Sequence, residues 1–74
     1  MELRNIESLI ESDGQITVGN MHPVGQCAVA NDEENTLAML KRHPDESFME
    51  LLSRLDQAIE QAVECQIFTD EVNN

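Results

Sequence analysis

Apolar residues recur every three or four positions near the start and through the second half of the chain, and alternate with polar ones between. Leu3, Ile6, Leu9 and Ile10 share one face of a helix over residues 2–12. Ser12-Asp13-Gly14 supplies turn chemistry, with Gly14 placed for the left-handed conformation that ends a helix. Gln15-Ile16-Thr17-Val18 then alternates as a half-buried strand does. Residues 19–25 read as a loop. Cys27-Ala28-Val29-Ala30 is expected to return as a second, antiparallel strand, over a connection longer than a tight hairpin.

The pattern predicts a second helix over 32–42. Asn31 with Glu34 three residues later has the form of a capping box, and the segment runs from Asp32-Glu33-Glu34 to Lys41-Arg42, complementing a helix macrodipole. Pro44 would close it. Ser47 and Glu50 form another capping box. Beyond them, Phe48, Leu51, Leu52, Leu55, Ala58, Ile59, Ala62 and Val63 make a long apolar stripe. Glu50 lies four residues before Arg54, the favourable order for a helical ion pair. Residues 66–69 add a short strand or pack back, and 70–74 read as an acidic, polar, frayed tail. These elements make one small domain over residues 1–69, of α+β class: helix, strand, strand, helix, helix, with a short antiparallel hairpin. A mostly α arrangement, with 15–30 irregular, is the alternative.

Charge changes this picture more than any motif. The 74 residues carry 15 acidic and four basic side chains, a formal charge of −11. Such a surface repels nucleic-acid phosphates and anionic lipid and attracts basic partners. Phe48 and Phe68 are the only aromatic residues, so the core must be aliphatic, and a small aliphatic core gains from a face shared in a homodimer. There is no basic-then-apolar leader and no long apolar run; Cys27 and Cys65 are too few for a disulfide framework. The expectation is a cytoplasmic protein with reduced thiols and no membrane span.

Candidate chemistry is sparse. His22, Cys27, His43 and Cys65 lack the paired spacing of zinc knuckles, and a free cysteine in a small core ordinarily serves as a small hydrophobe. The acids at expected helix starts are accounted for by capping, and Gly14, Gly19 and Gly25 are scattered with no lysine to form a phosphate cradle. No catalytic residue, metal or cofactor is expected. His43-Pro44-Asp45 resembles the tripeptide of J-domain co-chaperones, with a helix expected on each side. The acidic opening at 32–34 and the short loop after the tripeptide depart from that pattern.

A wider resemblance runs from Ala28 to Ile59. The junction His43-Pro44-Asp45-Glu46-Ser47, with Leu51-Leu52-Ser53-Arg54-Leu55-Asp56-Gln57-Ala58-Ile59 after it, resembles short bacterial proteins of plasmid, phage and genomic-island type that have no assigned activity. Asp70-Glu71-Val72-Asn73 is similar to the acidic tail on some of them. The resemblance implies a mobile-element setting and no particular chemistry.

Three functional classes remain, and two of them fit these features better than the third, an enzyme with or without a metal. The first is a non-enzymatic adaptor or regulatory module that binds another protein through an apolar face, with Met21, Met39 and Met49 as adaptable surface. The second is an acidic inhibitor, a DNA mimic, antitoxin-like factor or anti-defence protein, that blocks a basic nucleic-acid-binding partner. The inhibitor would act through carboxylates in rows on one face, with Glu33, Glu34, Glu46, Glu50, Glu60 and Glu64 as the candidate interaction residues, whereas the module would depend on exposed Leu or Met residues.

Overall fold

The computed structural model describes residues 2–73; Met1 and Asn74, the ends of the expected domain and tail, lie outside the described residues. Two helices pack on a four-stranded sheet, a small α+β domain. The order is α1 (Arg4–Glu11), β1 (Gln15–Met21), β2 (Gly25–Asn31), β3 (Thr36–Lys41), α2 (Phe48–Cys65) and β4 (Thr69–Asp70). Spatial order matches chain order: β1, β2 and β3 form an antiparallel meander, and β4 joins β3 in parallel. A parallel pair needs a crossover, and α2 supplies it.

The expected helix over 32–42 is instead a turn leading into β3. Asp32 Oδ1 accepts from the backbone N–H groups of Glu34 (2.8 Å) and Asn35 (2.6 Å), so the acids that suggested a helix start build a side-chain-mediated turn. Leu37-Ala38-Met39-Leu40 is a short unbroken apolar run bounded by polar residues, and it pairs with β2. The strand carries a bulge: Ala30 faces Ala38 and Asn31 faces Thr36, leaving Leu37 as the extra residue. Leu37 and Ala38 are consequently both buried in the core.

Register sorts the sheet's faces. Ile16, Val18, Ala28, Ala30, Ala38 and Leu40 stand on the face packed against Ile6 and Leu9 of α1 and Leu51, Leu55, Ala58, Ile59 and Ala62 of α2. Leu55 and Leu51 are fully buried, as the apolar stripe predicts. The core is aliphatic throughout. The first turn differs in detail from expectation: Asp13, at φ 70°, takes the left-handed position. Gly14 is required by proximity, since an added Cβ would come within 2.4 Å of the Leu9 side chain and 2.8 Å of the Leu9 carbonyl oxygen, which the Gly14 N–H itself reaches at 2.8 Å.

Candidate functional site

Two polar clusters and one groove carry the chemistry of the surface. The first cluster surrounds Arg54. Its guanidinium holds both oxygens of Glu46, donates from Nη1 to Glu71 Oε2 (2.9 Å) and from Nη2 to the Lys41 carbonyl (3.0 Å). Glu46 also accepts the His43 N–H, and Glu71 the Lys41 N–H, each at 3.0 Å. Arg42 closes the outer side with bonds to the Glu46 carbonyl and Gln26 Oε1. One arginine thus joins the end of β3, the loop after it, α2 and the C-terminal segment. The Glu46 carboxyl, held by Arg54, is pulled from 4.5 down to about 2. Arg54 is pushed the other way, chiefly by Glu46 and against partial desolvation.

The expected Glu50–Arg54 pair is therefore not made. Glu50 accepts the Ser47 N–H at 2.7 Å while Ser47 Oγ accepts the Glu50 N–H at 3.1 Å, the capping box anticipated at α2. These bonds hold the Glu50 carboxyl below its ordinary range. The stretch expected to fray is docked as far as it is described: Glu71 N–H donates to Met39 O (2.8 Å), and Asp70 Oδ1 accepts from the Val72 and Asn73 N–H groups. Those bonds, Asn73's foremost, lower the Asp70 carboxyl as well.

The second cluster centres on Asp56, which sequence reasoning passed over as one letter in the α2 stripe. It is buried among apolar neighbours and accepts three bonds, from the N–H groups of Asn5 (2.8 Å) and Ile6 (2.9 Å) and from Asn5 Nδ2 (3.0 Å). α1 begins at Leu3 without a local side-chain cap. Asp56 caps it from another helix, meeting free N–H groups of the first turn. A buried polar residue inside an apolar stripe was the available signal.

The groove lies at the opposite end of α2. Leu9, Leu37, Ile59 and Val63 form an apolar floor within a cleft of about 400 Å³, edged by Asn5, Ser8, Ser12, Asp32 and Glu64. It shares Ser12 and Asp32 with a shallower depression that reaches Glu33 and Glu34. Val63 is 65% exposed. The carboxylates of Glu33, Glu34, Glu60 and Glu64 make no hydrogen bond or ion pair among the described residues. Neither helix has a basic residue in its last turn, so both negative helix ends stand beside the acids unneutralised. Asp32 is held charged by the Asn35 and Glu34 N–H groups, which lower its carboxyl.

The six candidate carboxylates accordingly divide. Glu46 and Glu50 are bonded within the fold, Glu50 while still exposed, whereas Glu33, Glu34, Glu60 and Glu64 are exposed and unbonded among the described residues; Glu64 edges the groove, and Glu33 and Glu34 the depression beside it. The soft ligands stay apart: His22 is on the β1–β2 turn, Cys27 is buried in β2, His43 is on the β3–α2 loop and Cys65 ends α2. Among the described residues no group of three or more His, Cys, Asp or Glu is arranged to hold a metal ion. Among the described residues no helix is long and apolar enough to cross a membrane. The His43-Pro44-Asp45 tripeptide links a strand to a helix, not two helices. No family model matches the chain, and no curated protein or solved structure is significantly similar to it.

Proposed function

We propose that this protein is a non-catalytic interaction module that holds a basic, partly apolar segment of a partner protein in the groove at the C-terminal ends of α1 and α2. The observation that carries the reading is the pairing of an apolar floor with an uncompensated acidic rim. Val63 stands exposed beside Leu9, Leu37 and Ile59, core side chains that reach the cleft only at their edges, while Asp32, Glu33, Glu34 and Glu64 and two helix C-termini favour Lys or Arg beside them. An amphipathic helix with a basic face meets both demands at once. The inhibitor reading is a narrower form of the same proposal, in which the basic segment belongs to a nucleic-acid-binding surface. Glu46 is bonded into the fold by Arg54, and Glu50, though exposed, is tied to Ser47, which leaves a phosphate mimic fewer unbonded carboxylates to present.

The test is a methyl NMR titration with a synthetic Leu/Lys amphipathic peptide and with a sequence-scrambled control. The expected result is a shift of the Leu9, Leu37, Ile59 and Val63 methyl signals that the scrambled peptide does not reproduce and that added salt weakens. Perturbation spread evenly over the acidic surface, or no perturbation, would contradict the groove as the site.

A further inference from the structure

Among the described residues β1 has β2 on one side and no strand on the other. Its seven residues therefore present a row of N–H and C=O groups that point away from β2 with no ladder to join. Folded proteins ordinarily blunt such an edge with charge, proline or brevity. The opposite edge of this sheet is blunted: β4 is two residues long and leads directly into Glu71. β1 uses none of these devices, for Gln15–Met21 holds no acid, no base and no proline. An extended segment can add to such a strand through backbone hydrogen bonds.

The strand is neutral, but what flanks its open edge is acidic. α1 touches β1 and α2, while α2 lies over β2 and β3, so the side of α1 turned from α2 borders the edge. Asn5, bonded to Asp56, marks the α2 side of the helix. At about 100° per residue, Ile10 stands about 140° around from Asn5, Glu7 about 200° and Glu11 about 240°. Ile10 is 50% exposed, and Glu7 and Glu11 are exposed with no hydrogen bond or ion pair among the described residues. Asp13 is exposed in the turn that enters β1. No free base offsets these acids. Arg4 is the only base on α1 and is paired with Glu2 at 2.7 Å, while Lys41, Arg42 and Arg54 lie on or beyond β3.

We infer that the β1 edge is a docking site for an extended segment of another protein that carries Lys or Arg at alternate positions. The edge sets the conformation, since only an extended backbone meets its row of donors and acceptors. The flanking charge sets the composition. Side chains of an added strand alternate between the two faces of the sheet. On the α1 side a long basic side chain lays its methylenes over Ile10 and brings its charge to Glu7 and Glu11. On the helix-free face the added residues continue the uncharged row of Thr17 and Val29. An acidic segment, a second copy at −11 included, is repelled at the same place. This site goes beyond the groove reading and does not depend on it: it lies at a sheet edge and takes a strand, whereas the groove lies at two helix ends and takes a helix.

An NMR titration of the full chain with a synthetic peptide of alternating Lys and Thr tests the inference. The alternate amides of Gln15–Met21 that point away from β2 should gain protection from hydrogen exchange, and the Ile10, Ile16 and Val18 methyl signals should shift. A peptide of alternating Lys and Gly has the same charge and little strand preference, and should bind about tenfold more weakly. Glu7→Lys combined with Glu11→Lys, at two exposed positions, should weaken the Lys/Thr peptide by about tenfold or more and make a Glu/Thr peptide the better ligand. A cooperative thermal transition in that variant verifies its fold. The inference is overturned by absent binding, by equal affinity for the Lys/Gly peptide, or by indifference to the charge reversal. Shifts confined to the Leu9, Leu37, Ile59 and Val63 methyls, with β1 unprotected, would place the peptide in the groove instead. Protection of β1 that rises with protein concentration alone would give the edge to a second copy and equally overturn it.

Discussion

The two ends of α2 treat their carboxylates in opposite ways. At the N-terminal end Glu46, Glu50 and Glu71 are bonded to Arg54, Ser47 and backbone N–H groups. At the C-terminal end Glu60 and Glu64, with Glu33 and Glu34 nearby, have no such partner among the described residues, and the helix dipole opposes the charge there. The same residue type is structural where donors converge and uncompensated where they do not. A stability-driven surface would place a lysine or arginine in the last turn of α2. Its absence, beside an apolar groove, is what the binding proposal explains.

The largest expected effect falls on the core both ends share. Leu55→Asp would place a charge at a fully buried position, and loss of the cooperative thermal transition is expected. Next is Arg54→Ala, which leaves Glu46 and Glu71 without their guanidinium. The Glu46 side chain is only 7% exposed but Arg54 is 28% exposed, so a loss of about 2 kcal/mol in urea unfolding is expected, between the values for surface and buried pairs. Asp56→Ala should cost about 1–2 kcal/mol, with hydrogen exchange rising first at the Asn5 and Ile6 amides. Unchanged protection at those amides would show that α1 starts without the long-range cap.

Acid should weaken the bonded end. The Glu46 carboxyl is depressed from 4.5 to about 2 in the folded chain, so the unfolded chain binds its proton at the higher pH. Its stabilising contribution is present above the unfolded value, declines as pH falls below it, and is gone once pH passes the folded value. Glu46→Gln should flatten the pH dependence of urea midpoints over that interval. An unchanged slope in this variant would place the acid sensitivity elsewhere.

How far the sequence revealed these features depended on the distance between partners. Ser47 and Glu50 are three residues apart, and the capping box was readable from their spacing. The 3.6-residue stripe of α2 likewise identifies Leu51, Leu55, Ala58, Ile59 and Ala62 as its buried side, whereas Phe48 and Val63 at the stripe's two ends stand exposed. β3 reads as a helix from the sequence because four adjacent apolar residues have no period, and Asp32 serves a turn as readily as a helix start. The bonds from Asn5 and Ile6 to Asp56 span some fifty residues, and Arg54 reaches Glu71 across 17. Nothing local announces such partners. Pro44, Glu46, Ser47, Arg54, Asp56 and Glu71 lie in or beside these fastenings.

The smallest stability effect should accompany the largest functional one. Neutralising the free end with Glu33→Gln, Glu34→Gln and Glu64→Gln together should leave urea stability within about 0.5 kcal/mol or raise it, since exposed acids at a helix C-terminus stabilise nothing. The measurement that tests the account most directly is the affinity of that triple variant for the Leu/Lys peptide, taken alongside its unfolding midpoint. Binding lost or sharply weakened, with the midpoint unchanged or higher, is the predicted result. Undiminished binding, or a midpoint that falls as far as it does for Arg54→Ala, would contradict the division between structural and recognition carboxylates.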